Sequence, residues 1–407
     1  MSITRRKLLA SAAAIGVAAA VRPGFAAGKY DPGATDKEIK LGGIHPFSGP
    51  ASAYGTIGKA IGGYFDKVNA EGGVNGRKIN WLDRDDGYSP PKTVEVARQL
   101  VEQDQVLLIF NSLGTPPNTA IQKYMNAKKV PQLFVATGAS QWGKPKEFPW
   151  TMGWQPTYAD EGAIYAKYIL DKVKDAKIGI LVQHDDYGKD YVDGFKRGLG
   201  AEGMKKLVKE VTYEVTDPTV DSQVIQLKDS GANVFFNVTT PKFAAQAIKK
   251  AGEIGWKPLH FLNNVSASVS AVLKPAGFDN SQGIVTAAYL KDPTDPQWQG
   301  HQAYIEWLDW MKKYNAAGNV ADSFNVYGYT VAQTMIQVLK QCGDDLTRAN
   351  VMKQAANLKA LDLPMLLPGI KIRTSPTDFY PIQSVQLQAF KGQTWELFGD
   401  ILSAESS

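Results

Sequence analysis

Carboxylates crowd the stretch Asp83-Arg84-Asp85-Asp86, a grouping that could hold a hard cation, because calcium and magnesium take clustered oxygen ligands. Its place at the end of an apolar run, with Arg84 inside it, argues instead for pairing among neighbours. His45, His184, His260 and His301 show neither an HExxH spacing nor a paired CxxC, so no metal site is expected. His184 precedes Asp185 and Asp186, but adjacent residues on a strand point to opposite faces, which spoils a base-and-orienter pair. The run from Gly138 to Pro145 (GASQWGKP) has the spacing of a phosphate-binding loop. Pro145 stands where that loop needs a hydroxyl for magnesium, and no helix can continue through the prolines that follow. There is no GxSxG elbow, and the lone Cys342 sits in a helical pattern beside Met and Leu. The chain is therefore expected to be no enzyme, and to need no cofactor.

Three other stretches suit binding. "HPFSGPASAYG" (His45 to Gly55), "NSLGTPPN" (Asn111 to Asn118) and "ATGASQW" (Ala136 to Trp142) each follow an apolar run. All are small, hydroxyl-rich and free of Arg and Lys. Such loops let backbone N–H groups and helix N-termini approach a bound group, an anion site without a cation.

The elements that must position these loops form a regular pattern. "EIKLGGI", "RKINWLDRDD", "VLLIFN" and "VPQLFVATGAS" read as strands, separated by amphipathic helices such as "SPPKTVEVARQLVEQD", with Ser89 as N-cap. After an irregular "WGKPKEFPWTMGWQPTYADE" the rhythm restarts with "KIGILVQHDD", "KKLVKEVTY", "ANVFFNVTT" and "HFLNN" as strands. Strands alternating with helices predict βαβ units and parallel sheets. The expected fold is α/β, with two similar doubly wound lobes. Ligands in such sheets sit at the carboxyl ends of the strands. The last third predicts a strand, three helices and the terminal hairpin "SVQLQAFKGQTWELFG".

Residues 1–26 read as an export signal of the twin-arginine type. Arg5-Arg6-Lys7 precede an alanine-rich apolar run, and Gly24 and Ala26 have cleavage-site spacing. The formal net charge is +5, of which Arg5, Arg6, Lys7 and Arg22 supply four, leaving +1 after cleavage. A balance so close to neutral argues against nucleic acid as a partner. One cysteine allows no internal disulfide, so apolar cores must hold the mature chain together. At about 380 residues one core usually divides into two. The expected setting is a bacterial periplasm and the expected state a monomer.

The sequence resembles the periplasmic solute-binding proteins of the leucine/isoleucine/valine-binding family, of type I fold. The likeness runs through "IKLGGIHPFSGPASAYG", "NAEGGVNGRKINWLDRDDGYSPPKTVEVARQLVEQD", "VPQLFVATGAS" and "QHDDYGKD". It implies two lobes joined by a three-strand hinge, closing on a small ligand that is handed to the membrane permease of an ABC importer. On this reading lobe 1 is expected over residues 36–154 and 284–341, and lobe 2 over 155–283 and 342–401. The resemblance assigns ligand carboxylate binding to Gly114 and Thr115 in one loop and to Gly138, Ala139 and Ser140 in another. It places Tyr54 and Tyr187 as aromatics leaning on the ligand from either lobe.

The sequence departs from that family at one point. Amino-acid binders hold the ligand's ammonium with an acidic residue in a lobe 2 loop, here "HFLNNVSASVS". Asn263, Asn264, Val265 and Ser266 occupy it, with no Asp or Glu from Leu259 to Phe278. Burying an unpaired ammonium costs several kcal/mol, and a neutral amide returns about 1–2 of them. The expected ligand is therefore a small carboxylate without an amino group, an aromatic or short aliphatic acid, with Phe47 and Trp154 as further aromatics near it. Asp185 or Asp186 could still serve an ammonium, which keeps a branched-chain or other amino acid as an alternative. A periplasmic sensor feeding a signalling receptor is an alternative of another class.

Overall fold

The computed structural model describes residues 28–403. The expected export signal, residues 1–26, lies outside the described residues. Two separate parallel sheets organise the chain. The first has five strands, in the order Lys78–Asp85, Glu38–His45, Leu108–Phe110, Gln132–Val135, Thr151–Gly153, all parallel. The second has seven, in the order Thr394–Ser403, Ser384–Lys391, Val285–Ala288, Leu259–Leu262, Val234–Val238, Ile178–Gln183, Leu207–Tyr213. Its last five in this order are parallel; the terminal hairpin pairs antiparallel onto Val285–Ala288.

Local chemistry explains the elements. Near-continuous apolar strands such as Val234–Val238 and Leu108–Phe110 are buried throughout, as a sheet covered on both faces requires. Helices begin where caps are available. Thr157 accepts from the Asp160 amide, Asp185 from the amides of Tyr187 and Gly188, and Asp322 from that of Phe324. Each such cap contributes about 1 kcal/mol. The carboxylates of the Asp83–Asp86 run shape the neighbouring turns. Asp83 pairs with His45 at 2.8 Å, and Asp85 accepts from the amides of Phe47, Ser48 and Gly87 and from Ser48 Oγ. Burial works against the Asp85 carboxylate, but these donors hold its pKa at about 2. Asp86 accepts from Thr93 Oγ1 and the Tyr88 amide. No group of three or more metal-ligating side chains is gathered among the described residues.

The chain passes between the sheets three times: after Thr151–Gly153, after Val285–Ala288, and between the helix Arg348–Ala355 and the strand Ser384–Lys391. Two placements differ from the expected boundaries. Val285–Ala288, expected with lobe 1, is hydrogen-bonded inside the seven-stranded sheet, so the return begins only after it. The segment after Cys342, expected with lobe 2, stays on the first lobe. Asp345–Leu346 pairs with Lys29–Tyr30, Asp344 meets Arg77 at 2.7 Å, and Arg348 donates to the Val106 and Leu107 carbonyls. The helices Gln302–Tyr314 and Ser323–Cys342 cover the first lobe, where Trp310 Nε1 donates to the Gly63 carbonyl and Tyr329 packs on Tyr64. Thr151–Gly153 also forms a strand inside the stretch expected to be irregular.

Candidate functional site

A cavity lies where the carboxyl ends of the two sheets face each other, with an empty volume of about 850 Å³ including its open mouth. Most parallel strands contribute just past their ends. Leu113, Gly114 and Thr115 follow Leu108–Phe110; Ala136 follows Gln132–Val135; Gln155 and Tyr158 follow Thr151–Gly153. From the other sheet Tyr187 follows Ile178–Gln183, Thr240 follows Val234–Val238, and Asn264 and Val265 follow Leu259–Leu262. Tyr54, Tyr88, Tyr289, Phe324 and Tyr327 complete a wall with six tyrosines and one phenylalanine. Each of these rings is only 3–7% exposed, so the lobes are closed over the cavity.

Two glycines make room for two of these rings. Gly114 has φ +96°, and a Cβ there would come within 2.5 Å of Tyr88 Cε2. A Cβ on Gly138 would meet the Pro156 carbonyl at 2.4 Å and Tyr158 Cδ1 at 2.7 Å. Tyr88 itself has φ +62°, an unusual conformation for an aromatic residue, where the chain turns toward the helix Pro90–Arg98. Behind the wall, Trp154 is fully buried, donates to Thr334 Oγ1, and packs edge-on against Tyr289 and Tyr327.

The polar groups are mostly engaged. Thr115 Oγ1 and Thr137 Oγ1 are 2.6 Å apart. Tyr327 OH accepts from Asn111 Nδ2, Tyr187 OH from Asn263 Nδ2, and Tyr158 OH from Gln155 Nε2. Burial pushes the phenols of Tyr54, Tyr88, Tyr158, Tyr187, Tyr289 and Tyr327 well up, so all stay protonated. Lys291 lines the cavity, but its ammonium bonds to the Pro364 carbonyl and lies over the Trp298 ring. Asp292 is the one acidic residue in the lining. Its carboxylate accepts from the amide and hydroxyl of Thr294, and burial lifts its pKa to about 6.

Gly138, Ala139, Ser140 and Asn263, four of the residues expected at the ligand, do not line this cavity. Ser140 gives both its amide and its hydroxyl to Asp190 of the facing lobe, each at 3.1 Å. Ala139 and Ser140 border a separate outer pocket with Lys144, Asp186, Lys189, Asp190 and Asp193. The Gly138 carbonyl accepts from the Tyr158 amide, at 2.8 Å. The Ser140 donors are thus taken by a carboxylate of the protein itself. A second bond of the same kind crosses the cleft from Ser268 Oγ to Asp322, at 2.8 Å.

A profile of the family described as periplasmic binding protein matches residues 38–394. The chain belongs to that family. It is 26% identical over 326 residues to "Leu/Ile/Val-binding protein homolog 1" of Brucella suis biovar 1 (strain 1330), covering 78% of this chain and 82% of that protein. Among solved structures it is similar to a branched chain amino acid ABC transporter protein from Thermus thermophilus with bound valine, at TM-score 0.80 and 16% identity, covering 90% and 97% of the two chains. It is also similar to a fatty acid ABC transporter substrate-binding protein from Thermomonospora curvata, at TM-score 0.77 and 24% identity, covering 93% and 97%. Members of the family are extracytoplasmic solute-binding proteins, not enzymes, and the α/β fold with parallel sheets is theirs.

In this periplasmic binding protein, Tyr54, Gly114, Thr115, Tyr187, Asn264 and Val265, named from the sequence as ligand residues, line the cavity. Phe47 and Trp154 stay outside the lining. Asp185 caps the helix Asp186–Gly203, and Asp186 borders only the outer pocket, so neither faces the cavity. The residues that sequence reading missed are mainly tyrosines: Tyr88, Tyr158, Tyr289 and Tyr327. Three of them share a signal. Each stands within a few residues of a strand's carboxyl end, where an exposed loop has no use for a large ring.

A buried acid near the asparagine loop also escaped notice. Glu161, on the helix Tyr158–Lys172, is fully buried and lies against Asn264 although 103 positions separate them. Its carboxylate accepts from Tyr165 OH, Tyr191 OH, the Asn264 amide and Asn264 Nδ2. Burial lifts its pKa to about 7 despite these donors. All its close partners belong to the protein, and it does not border the cavity.

Proposed function

We propose that this protein is the extracytoplasmic solute-binding component of an ABC importer. It captures a small carboxylate with an aromatic or short aliphatic body by closing its two lobes, and delivers it to a membrane permease. The observation that carries this reading is the cavity wall: six protonated tyrosines and Phe324, with no uncommitted acid or cation. Burying an aromatic ring there contributes about 2–3 kcal/mol. An ammonium would find the engaged Asp292 as its one acidic neighbour, a weak match for a full charge in an apolar site. That same Asp292 keeps a branched-chain amino acid as the second reading, in line with the name of the Brucella relative.

Calorimetric titration of the mature protein with benzoate, phenylacetate, hexanoate and leucine separates the two. Heat from the acids with none from leucine supports the proposal. Heat from leucine alone would overturn it.

A further inference from the structure

The cavity wall repeats one motif three times: a carboxamide outside or at the edge of the cavity donates to the hydroxyl of a tyrosine facing it. Asn111 Nδ2 reaches Tyr327 OH at 3.2 Å, Gln155 Nε2 reaches Tyr158 OH at 3.5 Å, and Asn263 Nδ2 bonds Tyr187 OH. The direction of the Asn111 pair is fixed independently, because the same Nδ2 also donates to the Phe134 carbonyl at 2.6 Å.

A phenol has one hydrogen to give and two lone pairs to receive. Once the amide fills a lone pair, the phenol's own hydrogen is left for another acceptor. Asn111 and Asn263 keep this arrangement although each leaves its side-chain carbonyl buried without a partner.

The three hydroxyls belong to one neighbourhood. All three line one cavity, and the Tyr158 and Tyr187 rings meet edge-on with centroids 5.3 Å apart. Tyr327 lies on a first-lobe helix, while Tyr158 and Tyr187 open two helices packed together in the second, so only the closed form presents all of them together.

The geometry points to Tyr158, Tyr187 and Tyr327 as the hydrogen-bond donors that hold the ligand's carboxylate, in place of the Ser140 loop. This rests on the acid reading above and adds which groups hold the charge. It also narrows the ligand class: a compact acid whose oxygens face three neutral O–H donors and whose body lies against rings. A ligand presenting donors of its own at that end would meet hydrogens head-on.

The test uses the mature protein and its variants Tyr158→Phe, Tyr187→Phe, Tyr327→Phe and Ser140→Ala, titrated with benzoate, phenylacetate and hexanoate and with the methyl ester of whichever acid binds most tightly. Each Tyr→Phe change removes one hydroxyl and keeps the ring, and is expected to lower acid affinity about 10- to 100-fold. Loss for the uncharged ester should be smaller, because a hydrogen bond to a charged oxygen is the stronger one. A ring that merely shaped the cavity would cost acid and ester alike, and that result would overturn the inference. So would unchanged acid affinity in all three tyrosine variants, or a loss confined to Ser140→Ala; either leaves the acid reading standing. Leucine binding with no acid binding in the parent protein removes that reading, and this inference with it. Thermal unfolding of each variant checks that it is folded.

Discussion

Two loops on neighbouring strands of one sheet have the same composition and different fates. Asn111 to Asn118 and Ala136 to Trp142 are both small, hydroxyl-bearing and free of cations, and both follow buried parallel strands. The first puts Gly114 and Thr115 into the cavity wall. The second turns its amide and hydroxyl donors at Ser140 away, onto Asp190 of the facing lobe. Composition makes a loop able to bind an acid. What stands across the cleft decides whose acid it binds.

The largest effect expected from breaking this pair is at Gly114. Valine there would sit at φ +96° with its Cβ against Tyr88, costing about 3 kcal/mol or more of folding stability and displacing a wall of the cavity. Urea unfolding and ligand titration of Gly114→Val check both, and parent-like results would show that the loop tolerates a side chain.

A pH series comes next in size. Burial raises Glu161 to about 7 and Asp190 to about 6, above ordinary carboxyl values. Both groups therefore hold protons more tightly in the folded chain than in the unfolded one. Stability should fall as pH rises from about 4 to 7 and level off above, by on the order of 3 kcal/mol for Glu161 alone. Asp85, held at about 2, works in the opposite sense, giving stability that is lost only below about pH 4. Urea unfolding between pH 5 and 8 reads Glu161 and Asp190 together with Asp292, also lifted to about 6. It reads them against His260, whose burial holds it at about 3 and works in the opposite sense. Asp190→Ala should flatten part of the slope. A slope that survives unchanged in that variant would place Asp190 in water.

Ser140→Ala removes one hydrogen bond to a buried carboxylate and should lower stability by about 1–2 kcal/mol at pH 8, and by less at pH 5, where Asp190 is mostly protonated. Equal losses at both pH values would mean that Asp190 does not change its charge between them. The smallest effect is expected at Phe47, an aromatic of the opening loop that stays outside the lining. Phe47→Leu should change ligand affinity by less than about twofold, since it removes no contact inside the cavity. A larger change would extend the cavity to that loop.

Much of this molecule was legible before its structure. The alternation of apolar runs and capped helices marked the two parallel sheets, and the residues at strand ends pointed to where a ligand would sit. Tyr54 and Tyr187 could be named because the resemblance to the leucine/isoleucine/valine-binding family places aromatics at those positions. Tyr327 could not, because it lies in the first turns of a helix more than 200 positions from Asn111, the group that orients it. Glu161 was hidden for the same reason, since scanning the asparagine loop for acids cannot find one that arrives from another helix. The lobe boundaries slipped where a strand, Val285–Ala288, has the same apolar look whichever sheet accepts it.

The sequence by itself determined which segments become strands, which turns can bring backbone close to a bound group, and that no cation waits there. Those properties follow from side-chain shape, periodicity and charge, which act over a few neighbouring residues. Only the tertiary structure decided that Ser140 meets Asp190, that three amides each fill one lone pair of a tyrosine, and that the rings close into one wall. Apart from the local pair Gln155 and Tyr158, those outcomes depend on distances between residues dozens to hundreds of positions apart, and such distances are fixed when two sheets pack end to end, not by local preference.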